Sequence, residues 1–126
     1  MPKEIITPGN VPKARGFSHA IKAGNTIYVA GQGGIDINGQ VVPGGIEAQI
    51  DTAFENLQRI LEAAGAKMTD VVRLNYFLVD IQDLAKIGNA YRKYFGWHFP
   101  ASTAVQITAL AIPEMRVEVE ATAVSG

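Results

Sequence analysis

The clearest pattern in the sequence is an apolar stripe that recurs every three or four residues between Ile46 and Ala64. This spacing places the apolar side chains on one face of an α-helix, with polar residues such as Asp51 and Glu62 on the other. Gly65 follows directly, and glycine there commonly ends a helix in the left-handed conformation. The pattern therefore predicts an amphipathic helix over residues 46–64.

A second apolar stripe predicts another helix after Asp80. Asp80 is placed as an N-cap, and Asp83 would be an acidic residue in the first turn. The apolar positions of this helix are Leu84, Ile87, Tyr91, Tyr94 and Phe95. Gly96 and Pro100 are placed to end it.

Short alternating or β-branched runs predict the strands. Residues 18–23 and 26–30 flank Gly24-Asn25, a pair typical of a two-residue hairpin turn. The other predicted strands span residues 71–79, 103–110 and 116–124. Residues 7–16 are predicted to form a surface loop. The glycine-rich residues 33–45 are predicted to form a small flap that turns at Asn38-Gly39.

The side-chain faces of the strands follow from their alternation. In residues 71–79, Val71 is expected to share a face with Arg73, Asn75 and Phe77. In residues 116–124, the face of Val117 and the alternate residues after it is apolar. Arg116, Glu118 and Glu120 lie on the opposite face, and Arg116 is there a candidate partner for the two carboxylates.

The order ββ-α-β-α-ββ predicts an α+β fold, a mixed sheet with two helices packed on one face. Each helix covers a strip about 10 Å wide, so two helices cover one face only. The other face still carries bulky groups, and a large apolar face is rare on a monomer. We therefore expect this face to pack against other copies of the chain.

Composition narrows the class of protein. A chain of 126 residues with 48% hydrophobic and 18% charged residues is expected to be one folded domain, residues 1–126. Eleven Lys and Arg against twelve Asp and Glu give a net charge of −1, and the cations are scattered. Nucleic acid is therefore not an expected partner, because phosphate binding needs clustered cations.

The absence of cysteine excludes disulfides and thiolate chemistry. His19 and His98 lack metal-ligand spacing, so we expect each to make an ordinary hydrogen bond, with no metal site. No apolar run approaches the roughly 20 residues of a membrane span. The first residues, interrupted by Pro8, do not resemble a signal peptide, and a cytoplasmic location is expected.

Glu118 and Glu120 are the residues whose pattern leaves two interpretations open. Separated by two positions on a strand, they share a face. They belong either to a solvated outer face or to a cleft. In a cleft, burial or a neighbouring acid would raise the pKa of one carboxylate until it can hold a water.

Several segments together resemble the Rid (reactive intermediate deaminase) family, also called YjgF or L-PSP endoribonuclease. The matching segments are Phe17-Ser18-His19-Ala20, Ala30-Gly31-Gln32, Asn56-Leu57, Ala63-Ala64-Gly65, Phe77-Leu78-Val79-Asp80, Pro100-Ala101 and Val117-Glu118-Val119-Glu120-Ala121. The resemblance covers nearly the whole chain. It implies a chorismate-mutase-like fold and a homotrimer with inward-facing, barrel-like sheets and clefts between subunits. It also implies hydrolysis of enamines and imines such as 2-aminoacrylate without a cofactor.

The resemblance also implies a set of site residues. Glu118 would be the catalytic group, and the substrate would contact Phe17, Ala30, Gly31, Gly88, Asn89, Ser102, Thr103 and Ala104. Several of these depart from the family pattern. Ser102 replaces an arginine that binds the substrate carboxylate, Phe17 a tyrosine, Ala30 a serine or threonine, Gly88 an asparagine and Ala104 a cysteine. A carboxylate substrate loses a bidentate ion pair by the change at Ser102.

Three functions follow from these observations. The leading hypothesis is a trimer that binds a small carbonyl, imine or enamine compound and uses Glu118 to hydrolyse or tautomerise it. The usual family substrate, 2-aminoacrylate, is not the expected substrate here. The alternative is a non-catalytic trimer that senses a metabolite or binds a partner protein, favoured by the loss of polar cleft groups. A ribonuclease is the third, and the net charge of −1 with no catalytic histidine pair disfavours it.

Overall fold

Six strands form one mixed sheet in the computed structural model, which describes residues 2–126. The elements are β1 (Lys3–Ile6), β2 (Ala20–Ala23), β3 (Thr26–Gly33), α1 (Gly45–Ala63), β4 (Val71–Leu78), α2 (Gly88–Phe95), β5 (Ala101–Gln106) and β6 (Val117–Val124). The strand order is β1-β2-β3-β6-β4-β5. Neighbouring strands are antiparallel except β4 and β5, which are parallel and are connected through α2. The predicted α+β class and mixed sheet are confirmed.

The core lies between the sheet and α1. The predicted apolar stripe of α1 is buried, and its Phe54 is fully buried. The Phe54 ring packs edge-on against Tyr76 of β4 and Phe95 of α2, at centroid distances of 6.4 and 5.2 Å. These contacts join both helices to the same face of the sheet, as the alternation of Val117, Val119, Ala121 and Ala123 predicts.

The opposite face of the sheet is not covered by any described element. Its apolar side chains include Tyr28, Phe77, Val105 and Val124, and Tyr28 remains 55% exposed. The same face carries Glu118 and Glu120 on β6. The chain thus has one packed sheet face and one open sheet face that is part apolar and part acidic.

Two strands differ from the sequence prediction. β1 was not predicted, because this edge strand has four residues, three of them exposed, and therefore no alternation. β5 spans Ala101–Gln106 rather than residues 103–110. It ends where the Gln106 side chain accepts a hydrogen bond from the Ile81 N–H, 2.9 Å away.

The predicted second helix is in fact two elements. A 3₁₀ segment covers Ile81–Lys86, and the α-helical hydrogen bonding starts only at Gly88. Asp80 caps the 3₁₀ segment as predicted, by accepting a hydrogen bond from the Gln82 N–H. The predicted apolar stripe is wrong at its start, because Leu84 is 38% exposed while Asp83 is 1% exposed.

The buried Asp83 explains where Arg116 binds. The Arg116 guanidinium donates to Asp83 through two nitrogen atoms, each 3.1 Å from a carboxylate oxygen. The predicted pairing of Arg116 with Glu118 or Glu120 is therefore wrong. The buried Asp83 carboxylate, which is distant from Arg116 in sequence, forms a bidentate ion pair with the guanidinium.

A register shift at the start of β4 also changes one predicted face. The pairing with β6 is irregular between Val71 and Arg73. Val71 is consequently fully buried, and Val72 is 47% exposed, the reverse of strict alternation. From Arg73 onward the predicted faces hold, with Leu74 buried and Asn75 on the open side.

Among residues 2–126 there is no helix with the length and apolar character needed to span a bilayer.

Gly34 fixes the distance between α1 and the segment after β3, and this can be tested. A Cβ at Gly34 would lie 2.5 Å from the Gln49 Cα, a backbone atom that moves only with the helix. We expect Gly34→Ala to lower the free energy of unfolding by about 1–3 kcal/mol through overpacking. Gly9→Ala is the matched control, because a Cβ there meets nothing within 4 Å. Urea unfolding of both variants makes the comparison, and equal stabilities would contradict the role of Gly34.

Candidate functional site

A bulge in β3 creates the site. Pairing between β3 and β6 shifts register between Val29 and Gln32, so Ala30 and Gly31 depart from the regular ladder. A Cβ on Gly31 would lie 2.5 Å from the Glu118 Cδ. Glycine at this position therefore makes room for the Glu118 carboxylate against the backbone of the bulge.

Glu118 is electrostatically unusual. Burial raises the pKa of the Glu118 carboxyl, and the neighbouring Glu120 carboxylate adds to that rise. The Asn75 side chain donates a hydrogen bond to the Glu120 carboxylate at 3.2 Å and makes none to Glu118. The upward direction agrees with the cleft interpretation of this pair and suits a group that gives and takes protons.

The Glu118 carboxylate lines a cavity of about 470 Å³. Phe17, Gly31 and Glu118, three of the predicted site residues, line it together. Its walls also include Ile112 and Met115 from the segment before β6, and the cationic side chains of Lys13 and Arg15 from the N-terminal loop. The cavity combines an apolar lining, one carboxylate of raised pKa and two cations.

His19 holds the N-terminal loop against β3. Its Nε2 donates to the Pro12 carbonyl at 2.6 Å, since a carbonyl oxygen only accepts. Its Nδ1 accepts from the Gln32 side chain at 3.1 Å, and the same amide donates to the Ala30 carbonyl. The Phe17 ring packs edge-on against the imidazole at 5.6 Å. His19 thus fixes the loop that carries Phe17 through both ring nitrogens, as the ordinary hydrogen-bonding role predicts.

The predicted flap also reaches this cavity. It consists of a single bridge between Ile35 and Val41 around a turn in which Gly39 has a φ of 81°. Ile35 and Gly39 line the cavity. The Asn56 side chain on α1 donates to the Ile35 carbonyl at 3.0 Å, which attaches the start of the flap to the helix.

Gly88 and Ser102 lie in a groove that is separate from the Glu118 cavity. They line a groove of about 390 Å³ between α2, the segment after it and β5. The groove shares no lining residue with the Glu118 cavity. Ser102 pairs with Leu74 and therefore points to the helix side of the sheet, whereas Glu118 is on the open side.

The remaining predicted site residues lie outside both the Glu118 cavity and the groove that contains Ser102. Ala30 lines a shallow hollow on the open face with Tyr28, Asn75 and Glu120. Asn89 lines a groove between α1 and α2. Thr103 is exposed on β5, and Ala104 packs against the core. One chain alone therefore does not bring the predicted residues together.

Within residues 2–126, no group of three or more His, Asp or Glu side chains is arranged to hold a metal ion. His98 donates through Nε2 to the Val71 carbonyl at 2.6 Å, and His19 is occupied as described.

Comparison with known proteins identifies the family. The model of the family described as endoribonuclease L-PSP matches residues 9–125. The chain belongs to this family, also known as YjgF or Rid.

Named relatives and solved structures extend this result. A RutC family protein of Pyrococcus horikoshii is 42% identical over 96% of this chain and 97% of its own. The 2-iminobutanoate/2-iminopropanoate deaminase of Bos taurus is 41% identical over 98% of this chain and 91% of its own. The crystal structure of RidA from an Antarctic Psychrobacter has a TM-score of 0.90 and 35% identity, covering 97% of this chain and 99% of that one. The six-stranded sheet with two main helices is thus the Rid fold.

Sequence reasoning missed several residues that line the Glu118 cavity and the groove that contains Ser102. Lys13, Arg15 and Arg92 were treated only as scattered charge. Each of the three lines one of the two depressions. A chain without a basic cluster can still place single cations at a site, and only the fold reveals which ones.

The coupling of the two carboxylates gives a test by titration. Glu120→Gln removes the like charge but retains an oxygen that can accept from Asn75, so we expect the titration midpoint of Glu118 to fall towards 4.5. Nuclear magnetic resonance of the Glu118 side-chain carboxyl carbon measures it. Glu62→Gln, on the exposed face of α1, removes the same charge elsewhere and should leave the midpoint unchanged. An unchanged midpoint in Glu120→Gln would contradict the coupling.

The same shift has a consequence for stability. Because the folded-state pKa of Glu118 lies above its unfolded value, its contribution to stability is fully present below the unfolded pKa. That contribution is lost as the pH rises through the folded pKa. Glu118→Gln cannot ionise, so it should be more stable than the wild type at pH 7, with the difference disappearing in acid.

Proposed function

We propose that this protein binds a small carbonyl, imine or enamine compound in a cleft between two copies of the chain and hydrolyses the C=N bond with Glu118. The observation that carries the proposal is a half-buried carboxylate of raised pKa in a cavity of about 470 Å³. Relatives about 40% identical over nearly the whole chain are named imine deaminases, which supports a deaminase-like reaction.

The separation of Glu118 from Ser102 supports a cleft shared by two chains. Glu118 is on β6 and Ser102 is on β5, and β4 lies between these strands. Two strand spacings amount to about 10 Å, and the two side chains are on opposite faces of the sheet. A substrate that contacts both Glu118 and Ser102 therefore needs Ser102 from another copy. The open sheet face supplies the apolar surface that would hold such copies together, in a homotrimer.

The chemistry requires only acid–base groups. An enamine takes up a proton on carbon and releases one from nitrogen, which gives the imine. Glu118 takes a proton from a water as the water oxygen adds to the imine carbon, and the nitrogen takes up a proton from solvent, which gives a carbinolamine. Glu118 then gives its proton to the amino nitrogen, the C–N bond breaks and ammonia leaves, and the hydroxyl proton is released to solvent as the carbonyl forms. Water has then replaced ammonia without any change of oxidation state. A carboxyl whose pKa is raised is a better proton acceptor than an ordinary carboxylate and still donates a proton, which both transfers require.

The substrate is expected to differ from 2-aminoacrylate. Ser102 offers one hydroxyl where an arginine would form a bidentate ion pair with a carboxylate beside the reacting carbon. Phe17, which is 55% exposed and has no hydroxyl, adds apolar surface on the Glu118 side. The cleft walls favour a substrate with an apolar body over a compact 2-imino acid.

A coupled assay tests the reaction. A dehydratase acting on serine or threonine generates the enamine in place, and its disappearance is followed with and without the protein. We expect at most weak acceleration for these short acids and measurable acceleration for imines of larger ketones. Glu118→Gln should lower the rate by about 10²–10⁴-fold, the usual contribution of a general acid–base group. An unchanged rate in Glu118→Gln would contradict the assigned role.

Mixing two inactive variants tests whether the cleft is shared. Gly88→Trp should block the groove without a clash on the backbone, because a Cβ there meets nothing within 4 Å. Refolding Glu118→Gln together with Gly88→Trp should restore about a quarter of the sites if each combines two chains of a ring. No recovery, or a monomeric mass by light scattering, would contradict the shared cleft. Ligand-dependent stabilisation without turnover of any imine would favour the alternative, a non-catalytic binding protein.

Position 102 offers a gain-of-function test. Ser102→Arg combined with Phe17→Tyr should raise hydrolysis of 2-aminoacrylate by about tenfold or more, since a charge-assisted hydrogen-bonded pair contributes about 1.5–3 kcal/mol. Ser102→Lys combined with Phe17→Tyr is the matched control, because it supplies a charge without the planar fork. A gain with lysine equal to that with arginine would contradict bidentate binding at this position.

A further inference from the structure

Arg92 lies in the groove that contains Ser102. It is on α2, four residues after Gly88 and therefore one helical turn along the same face. Arg92 is the one charged side chain among the groove's lining residues. No carboxylate in residues 2–126 forms a salt bridge with it, whereas the neighbouring Lys93 pairs with Asp51 at 2.9 Å.

The Arg92 guanidinium is held in place by an aromatic ring. Its central carbon lies 4.5 Å from the centroid of the Trp97 ring. A guanidinium over an aromatic face is attracted to the ring electrons, and this contact uses none of its N–H donors. The cation is thus positioned without being neutralised.

The turn that carries Trp97 is rigidly attached although its side chains are exposed. The Tyr91 hydroxyl donates to the His98 carbonyl at 2.6 Å, and His98 Nε2 donates to the Val71 carbonyl at the same distance. Phe99 stacks on Tyr91 with an interplanar angle of 8°. Trp97 is nevertheless 74% exposed, so the stacked guanidinium lies at the solvent edge of the groove.

We propose that Arg92, positioned by Trp97, binds an anionic group of the substrate at the rim of the cleft. The inference rests on the proposed function, because it names the substrate class of the same cleft. An arginine at position 102 would project from the β5 side of the groove, whereas the Arg92 guanidinium is on the α2 side, next to the exposed Trp97 ring. The substrate is therefore an imine or enamine whose anionic group is separated from the C=N carbon by further carbon atoms.

A pair of product analogues that differ only in charge tests this inference. The probes are 4-oxopentanoate and its neutral amide, 4-oxopentanamide, and calorimetry on the wild-type protein at low salt measures both dissociation constants. We expect the acid to bind at least about tenfold more tightly than the amide, as a charge-assisted hydrogen bond provides. Pyruvate, whose carboxylate adjoins the carbonyl carbon, should bind less tightly than 4-oxopentanoate.

Three variants identify the cation responsible. Arg92→Met should reduce the preference for the acid to about twofold or less, while Arg92→Lys retains part of it. Lys93→Met removes an equal charge from the same helix and should leave the preference intact. Arg15→Met tests the cation of the Glu118 cavity. Thermal unfolding confirms that each variant is folded, and the charge-retaining Arg92→Lys serves as the second variant if Arg92→Met is not.

The outcomes separate the inference from the proposed function. Equal affinity for acid and amide, no saturable binding of either, or loss of the preference in Arg15→Met instead of Arg92→Met would overturn the role of Arg92. Binding through Arg92 with no hydrolysis of any imine would support the anion site and contradict the reaction. Hydrolysis that is insensitive to Arg92→Met with anionic imines would support the reaction and contradict the anion site.

Discussion

The sheet has helices on one face only, and most features of this protein depend on that asymmetry. α1 and α2 bury the apolar stripe of β6 and the aromatic cluster around Phe54 on one side. The other side keeps Tyr28 exposed beside Glu118 and Glu120. The apolar groups on this face are unfavourable when they are exposed to water. The carboxylates on the same face would be unfavourable inside an apolar core. The proposed packing against further copies, with clefts that leave the carboxylates access to water, would satisfy both.

The position of Glu118 follows from an irregularity rather than from the regular ladder. The β3 bulge brings the Gly31 backbone so close that a Cβ at this position would displace the Glu118 carboxylate. Burial and repulsion from Glu120 raise the pKa of the Glu118 carboxyl, while Asn75 donates a hydrogen bond to Glu120. The same strand pairing that stabilises the sheet thus produces the chemical property that hydrolysis requires.

The sequence predicts what is periodic and misses what depends on distant partners. The stripe of α1, the hairpin at Gly24-Asn25 and the alternation of β6 were predicted correctly, because burial of many side chains imposes a regular spacing. The buried Gln49 and Asp83 were not, because their partners come from the segment before β6, 67 and 33 positions away. Glu118 was singled out through resemblance, and pattern alone left it between two interpretations. Arg92 became a candidate only when the fold placed it beside Ser102.

The proposed cleft would separate reaction from specificity. The Glu118 half would carry the group that moves protons, and its geometry depends on the bulge, the His19 network and the flap. The groove that contains Ser102 has no carboxylate among its lining residues, so its polar and charged side chains would contact the part of the substrate away from the C=N bond. Under this proposal, a substitution at Ser102 or Arg92 would change which molecule is bound and leave the bulge that positions Glu118 intact.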